Sequence, residues 1–364
     1  MNPYPLWLNA GDNAWQMTAA TLVGLMSIPA LAVLYGGLVQ RKWAMNTVMM
    51  VFTTFCLVLI VWVLWGFKLG FGTPLVSTFL GDPRTVLGHD ALQGPATIPL
   101  LKGLMPNFRI PGASVIYFQF VFAAITPILF IGSVIGRISF KVWLVFVPLW
   151  ITFVYCVNAF LLWGGGYWAG KGALDFSGGY VIHLAAGTSG FVAAAVIGPR
   201  LKRDRERAIP NNLLFVAVGA GILWLGWNGF NGGDPYFAGA DAAAAIVNTN
   251  LATAVAMMTW IVMDMAFSSG MLAWPCSAAC PRMVRGSPRK VCTSGVPKPI
   301  LKAHSTQVIR VRQNVQNTIM TVFIAHFFWT RPPYSTARAG MDISPTSVAA
   351  VICQELSPAF SQLA

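Results

Sequence analysis

Seven stretches of apolar residues, each long enough to cross a bilayer, follow one another along the first three quarters of the chain. They run Trp15 to Val39, Ala44 to Leu69, Ser114 to Gly136, Val142 to Trp163, Gly178 to Ile197, Leu213 to Phe230 and Ala243 to Phe267. Crossing the hydrocarbon core takes about 20 mostly apolar residues in a helix. Backbone polar groups have no water partner there, so these stretches predict helices rather than open sheet. The expectation is an all-α, polytopic membrane helical bundle over residues 1–267. After Phe267 the pattern stops. Residues 268–364 form a basic tail rich in Pro, Ser and Arg, and its longest apolar run, TIMTVFIAHFFW at 318–329, is too short to span.

Composition agrees with this reading. The chain is 56% hydrophobic and 10% charged, with a mean hydropathy of +0.65, which excludes an ordinary soluble domain. The lipid bilayer is therefore the first expected partner. The formal charge of +13 does not point to nucleic acid, because ten of the 24 Lys and Arg residues fall in the tail, against Asp342 and Glu355 alone. Within the helical part, basic residues crowd into alternate connections. Arg41 and Lys42 lie in one, Arg137 and Lys141 in another, and Arg200, Lys202, Arg203, Arg205 and Arg207 in a third. The positive-inside rule then places the N-terminus outside and the end of the seventh helix inside. The 71–113 connection becomes an ordered external excursion. No cationic leader precedes the first helix, which is expected to remain in the protein.

Cys56 and Cys156 read as small buried apolar residues. The four tail cysteines, Cys276, Cys280, Cys292 and Cys353, show no metal-site spacing. No cofactor is expected. An enzyme is disfavoured because no nucleophile–base pair is legible. A retinal-type pigment is disfavoured because the last apolar stretch lacks a lysine.

Ionisable groups inside spanning helices are costly and default to functional hypotheses. His183 lies within GGYVIHLAAGTSG and is either hydrogen-bonded to a neighbouring helix or a pore-lining group. Asp175 is eight residues upstream, roughly 12 Å away in a continuous helix, and on local grounds caps the helix that follows. Asp264, near the end of the seventh stretch, can reach the interface. Glycines at 132 and 136, 164 to 166, 187 and 190, and 219 and 221 predict close helix contacts.

Several segments together resemble the ammonium transporter family (Amt/Mep/Rh). They are GDNAWQMTAATLVGLMSIPALAVLYGGLVQRKWAMN (11–46), YFQFVFAAITPIL (117–129), WGGGYWAGKGALDFSGGYVIHLAAGTSGFVAAAVIGPR (163–200), GWNGFNGGDPY (226–236) and NTNLATAVAMMTWIVMD (248–264). The resemblance is collinear over about residues 1–266. It implies ammonium and ammonia as substrate, a plasma-membrane location and a homotrimer. Residue by residue it makes Trp163 the aromatic wall of an external ammonium recruitment site and Asp175 a nearby carboxylate that organises backbone and favours a cation. Phe122 and Phe230 become a stacked phenyl gate beneath the site, His183 the first of two pore histidines, and Trp227 and Asn231 structural support. Asp234 stands where the family often has Ser; a carboxylate there either holds the ion more strongly or points away into the vestibule rim, and it is a candidate recruitment residue.

The family has eleven helices in two inverted halves of five plus one more. Seven of these are legible here, and the second pore histidine has no matching position, since His304 and His326 occur in dissimilar sequence. Family members continue after the seventh helix with Phe-Phe-Gly, and codons TTC-TTC-GGG-A read one base along give the Ser-Ser-Gly of residues 268–270. The tail is thus read as a shifted or misassigned frame, with an alternative splice product as the other source. As written, the chain is expected to transport poorly. The alternative to a transporter is a non-transporting family member that acts through mixed oligomers.

Overall fold

The computed structural model describes residues 5–103, 106–206 and 209–267. His304, His326, the tail cysteines, the 318–329 stretch and Arg207 lie outside them, as do the side chains of Arg205 and Asp264. Among the described residues seven helices have the length and apolarity to cross a membrane: α1 Ala10–Leu38, α2 Arg41–Phe71, α3 Gly112–Val134, α4 Phe140–Gly170, α5 Gly179–Ile197, α6 Leu213–Gly233 and α7 Ala240–Phe267. Each matches one predicted stretch. The ends differ by a few residues because polar residues fill helix termini: Arg41 and Lys42, expected in a connection, form the first turn of α2.

The helices are irregular where their sequences require it. Pro29 lies in a wide turn at Met26–Leu31 that bends α1. Similar wide turns occur at Trp62–Gly66 in α2, at Ile151–Tyr155 in α4 and at Gly179–Leu184, the start of α5. At Pro29, and at Pro148 just before the α4 turn, proline removes a backbone donor and the wide turn absorbs the mismatch.

At the centre stands α3. Val115, Phe118, Phe120, Val121, Phe122, Ala123 and Ala124 are all buried, and α1, α2 and α5 pack around it. The other principal seam joins α1 to α6. There a Cβ on Gly229 would stand 2.4 Å from the Ala19 carbonyl oxygen, and one on Gly219 2.6 Å from that of Ala30. The missing side chains let two backbones touch, the device expected of small residues in membrane helices. Gly221 and Gly187, expected to serve likewise, have no neighbour at that distance among the described residues. Replacing Gly229 with Val is expected to destabilise the bundle by at least about 1–3 kcal/mol, the usual range for overpacking. Thermal unfolding in detergent checks this, and an unchanged midpoint would refute it.

Polar seams fix the register of the outer helices. Asn231 Nδ2 donates to Thr249 Oγ1 at 2.8 Å, and Asn250 Nδ2 to Asn228 Oδ1 at 2.7 Å, joining α7 to α6. At one end of the bundle the basic connections converge. Lys42 pairs with Asp204 at 2.6 Å, Arg200 lies over the Trp43 ring, and the Arg137 guanidinium donates to the carbonyls of Gly198 and Ser133. Burial lowers the Arg137 pKa from its ordinary value. The predicted clustering of positive charge at one face is thus met.

At the opposite end lie the described residues of the 71–113 connection. A short hairpin, β1 Pro74–Val76 with β2 Leu80–Gly81, and a bridge between Pro95 and Pro111 hold it over the bundle. Cys156 is buried as expected. Cys56 is exposed on the outside of α2, so that expectation is corrected: an apolar thiol in a membrane helix can face lipid as readily as core.

Candidate functional site

Five aromatic rings form a continuous file from the 71–113 end into the bundle. Trp163, which ends the helical run Cys156–Leu162 within α4, meets the edge of Phe122 at 5.8 Å between centroids. Phe122 of α3 meets Phe230 of α6 at 4.3 Å and 63°, and Phe230 meets Trp227, one turn back, at 5.1 Å. Trp227 stacks on His183 of α5 at 5.6 Å and 19°. Three of these were placed together by the family resemblance. The Phe122–Phe230 pair is edge-on rather than stacked face to face, the arrangement that ring quadrupoles favour.

The connection between α4 and α5 is shaped by Asp175. Its Oδ1 accepts the backbone N–H groups of Gly178 and Gly179, both at 2.7 Å, and its Oδ2 those of Tyr180 and Val181, both at 2.9 Å. Those four donors open α5, where they have no intrahelical partner, and a carboxylate is the group best suited to take them. The capping expectation is correct. The 12 Å separation from His183 assumed a helix running through 175–178, but the chain turns there, with Gly178 at φ +100°, a conformation that glycine alone adopts freely. The wide turn that follows closes through His183 N–H to the Gly178 carbonyl at 2.9 Å and sets the imidazole against α6. Burial raises the Asp175 pKa, and the four backbone donors oppose that rise. The carbonyl of Asp175 also receives the Trp163 indole N–H at 2.8 Å. One residue therefore holds both the helix start and the wall of the file.

Asp234 caps the end of α6 and faces Ser177 and Asp175. Its Oδ2 is buried without a hydrogen-bond partner, and the Ser177 hydroxyl stands beside the carboxyl. Burial pushes the Asp234 pKa well above the usual carboxylate range; the Ser177 hydroxyl opposes this and the Asp175 charge adds to it. Behind Asp234, Tyr236 takes up a left-handed backbone at φ 60°, unfavourable for an aromatic residue. The Tyr236 hydroxyl accepts from Gln119 Nε2 at 2.5 Å and its ring is wedged between Phe108 and Phe118. Burial raises the pKa of this phenol too. Ser177, Gln119 and Tyr236 were not singled out from the sequence. Ser177 reads as an ordinary helix-start residue, and only the fold turns it toward a carboxyl 57 positions away.

The Asp234 shift has a direct consequence for stability. The unfolded carboxyl titrates near the ordinary value of about 4, and the folded one well above it. The folded state therefore binds the proton more tightly, so this stabilisation is complete below the unfolded value and is lost as pH climbs through the folded one. The melting temperature is expected to fall across that window, and to fall less in Asp234→Asn. A wild-type melting temperature that rises there would contradict the assignment.

Seven membrane-length helices among the described residues, four of which supply the rings of the aromatic file, define a polytopic helical membrane protein. The chain belongs to the Ammonium Transporter Family, whose model matches residues 14–279. It is 48% identical over 277 residues to "Ammonium transporter 3 member 1" of Oryza sativa subsp. japonica, covering 72% of this chain and 55% of that one. It is 51% identical over 263 residues to "Ammonium transporter 2" of Arabidopsis thaliana, again with 72% and 55% covered. The crystal structure of Saccharomyces cerevisiae Mep2 superposes with a TM-score of 0.63 at 29% identity, over 72% of this chain and 57% of that one. The chain thus spans about half the length of the curated relatives it matches.

Proposed function

We propose that this protein serves ammonium transport across a membrane, most readily the plasma membrane, with its N-terminus outside and as part of a trimer. The observation that carries this reading is the ring file that starts beside two carboxyls and ends on an imidazole. At its mouth an ammonium ion would lie against the indole face of Trp163, an attraction of about 0.5–2 kcal/mol, suited to capture and release. Asp175 spends its oxygens on backbone, so its contribution to the ion is its field; Asp234 and Ser177 offer acceptors. Beneath them the Phe122–Phe230 pair closes the path to a hydrated ion. Burying an ammonium ion without replacing its water is far costlier than burying neutral ammonia. The ion therefore leaves its proton at the mouth, and the neutral molecule passes Trp227 and His183.

The reading is tested by titrating ammonium chloride into the protein in lipid nanodiscs, with potassium chloride as reference. Saturable binding of ammonium and little response to potassium is the expected outcome. Equal responses to both salts would refute it.

A further inference from the structure

The chemistry at the mouth of the ring file needs a group to take the ammonium proton, and few candidates stand there. Trp163 has only an N–H, already given to the Asp175 carbonyl. Asp175 has two backbone donors on each oxygen. Asp12, at the same end, accepts the Ala238 N–H through Oδ1 at 2.9 Å. A serine hydroxyl is too weak a base. Among the described residues this leaves Asp234, whose Oδ2 is buried without a hydrogen-bond partner and whose carboxyl faces the Ser177 hydroxyl.

We infer that Asp234 Oδ2 is the proton acceptor of the vestibule, with Ser177 as the hydroxyl that holds the ion in place for transfer. The inference rests on the recruitment reading above. In the step, one N–H bond of ammonium breaks and its electron pair stays on nitrogen. The proton bonds to Oδ2, so that ammonium and a carboxylate become ammonia and a neutral carboxyl. The proton then passes to water at the mouth, which restores the carboxylate.

Three surroundings favour this. The buried carboxylate is starved of solvent, which brings its proton affinity closer to that of ammonia. Of the groups that face it, Asp175 from the α4–α5 connection adds to the effect, and the rings of Tyr236 and of Tyr155 in α4 also lie toward it. The neutral product has an apolar way onward, because Phe122 and Phe230 lie next in the file.

Infrared difference spectra of the full chain in nanodiscs test this, recorded on adding ammonium chloride against potassium chloride. The pH is set where a titration shows Asp234 to be ionised. A protonated-carboxyl band is expected to grow with ammonium in the wild type and to be absent in Asp234→Asn. Asp234→Ser, which keeps an acceptor oxygen but no titrating group, is expected to bind ammonium without producing the band. A band that persists in both variants would overturn the inference. So would saturable ammonium binding by the wild type with no band, which leaves the recruitment reading intact. Absence of any saturable binding would overturn both.

Discussion

Asp175→Asn is expected to be the most damaging single substitution in the described part of the chain. An amide keeps one acceptor oxygen and turns an NH2 group toward two backbone donors. Two of the four N–H groups at the start of α5 then lose their acceptor. Bonds to a charged acceptor contribute about 1.5–3 kcal/mol each, so a loss of at least about 3 kcal/mol is expected. The damage does not stay local. The same turn presents the carbonyl that fixes the Trp163 indole, and the wide turn it opens positions His183. Thermal unfolding and ammonium titration should therefore fail together in this variant. An Asp175→Asn protein that melts like the wild type would show that the cap is dispensable.

The second large effect belongs to Trp163. Replacing it with Leu keeps an apolar side chain but removes the indole face and its N–H. The loss of a cation–π contact of about 0.5–2 kcal/mol corresponds to ammonium binding weakened about 2- to 30-fold. Trp163→Phe, which restores a ring without the N–H, is expected to recover part of the loss. Calorimetry in nanodiscs separates the three proteins. Equal affinity in wild type and Trp163→Leu would remove the indole from the recruitment site.

These two residues also show what the sequence could and could not reveal. The seven helices were legible because uninterrupted apolar runs of spanning length have one structural outcome in lipid. The Trp163, Phe122, Phe230 and His183 assignments came from motif resemblance, not from spacing, since the four lie on four different helices. Asp175 was legible as a cap because capping is local, a matter of a carboxylate a few residues before an apolar run. Its distance to His183 was not, because the turn at Gly178 depends on a left-handed residue that a glycine permits but does not announce. Ser177 stayed invisible for a different reason: its partner, Asp234, arrives through packing of α6 against the α4–α5 connection. Cys56 went wrong because hydropathy does not distinguish a lipid-facing position from a core one.

The central claim is that ammonium binds against Trp163 at the mouth of the aromatic file. It is met most directly by following the indole N–H resonances of the protein in nanodiscs while ammonium is added. The account predicts a saturable shift of the Trp163 resonance with ammonium, with little change at the exposed Trp168 and none of comparable size with potassium. A Trp163 resonance that stays in place while other indoles move, or that moves equally with potassium, would contradict it.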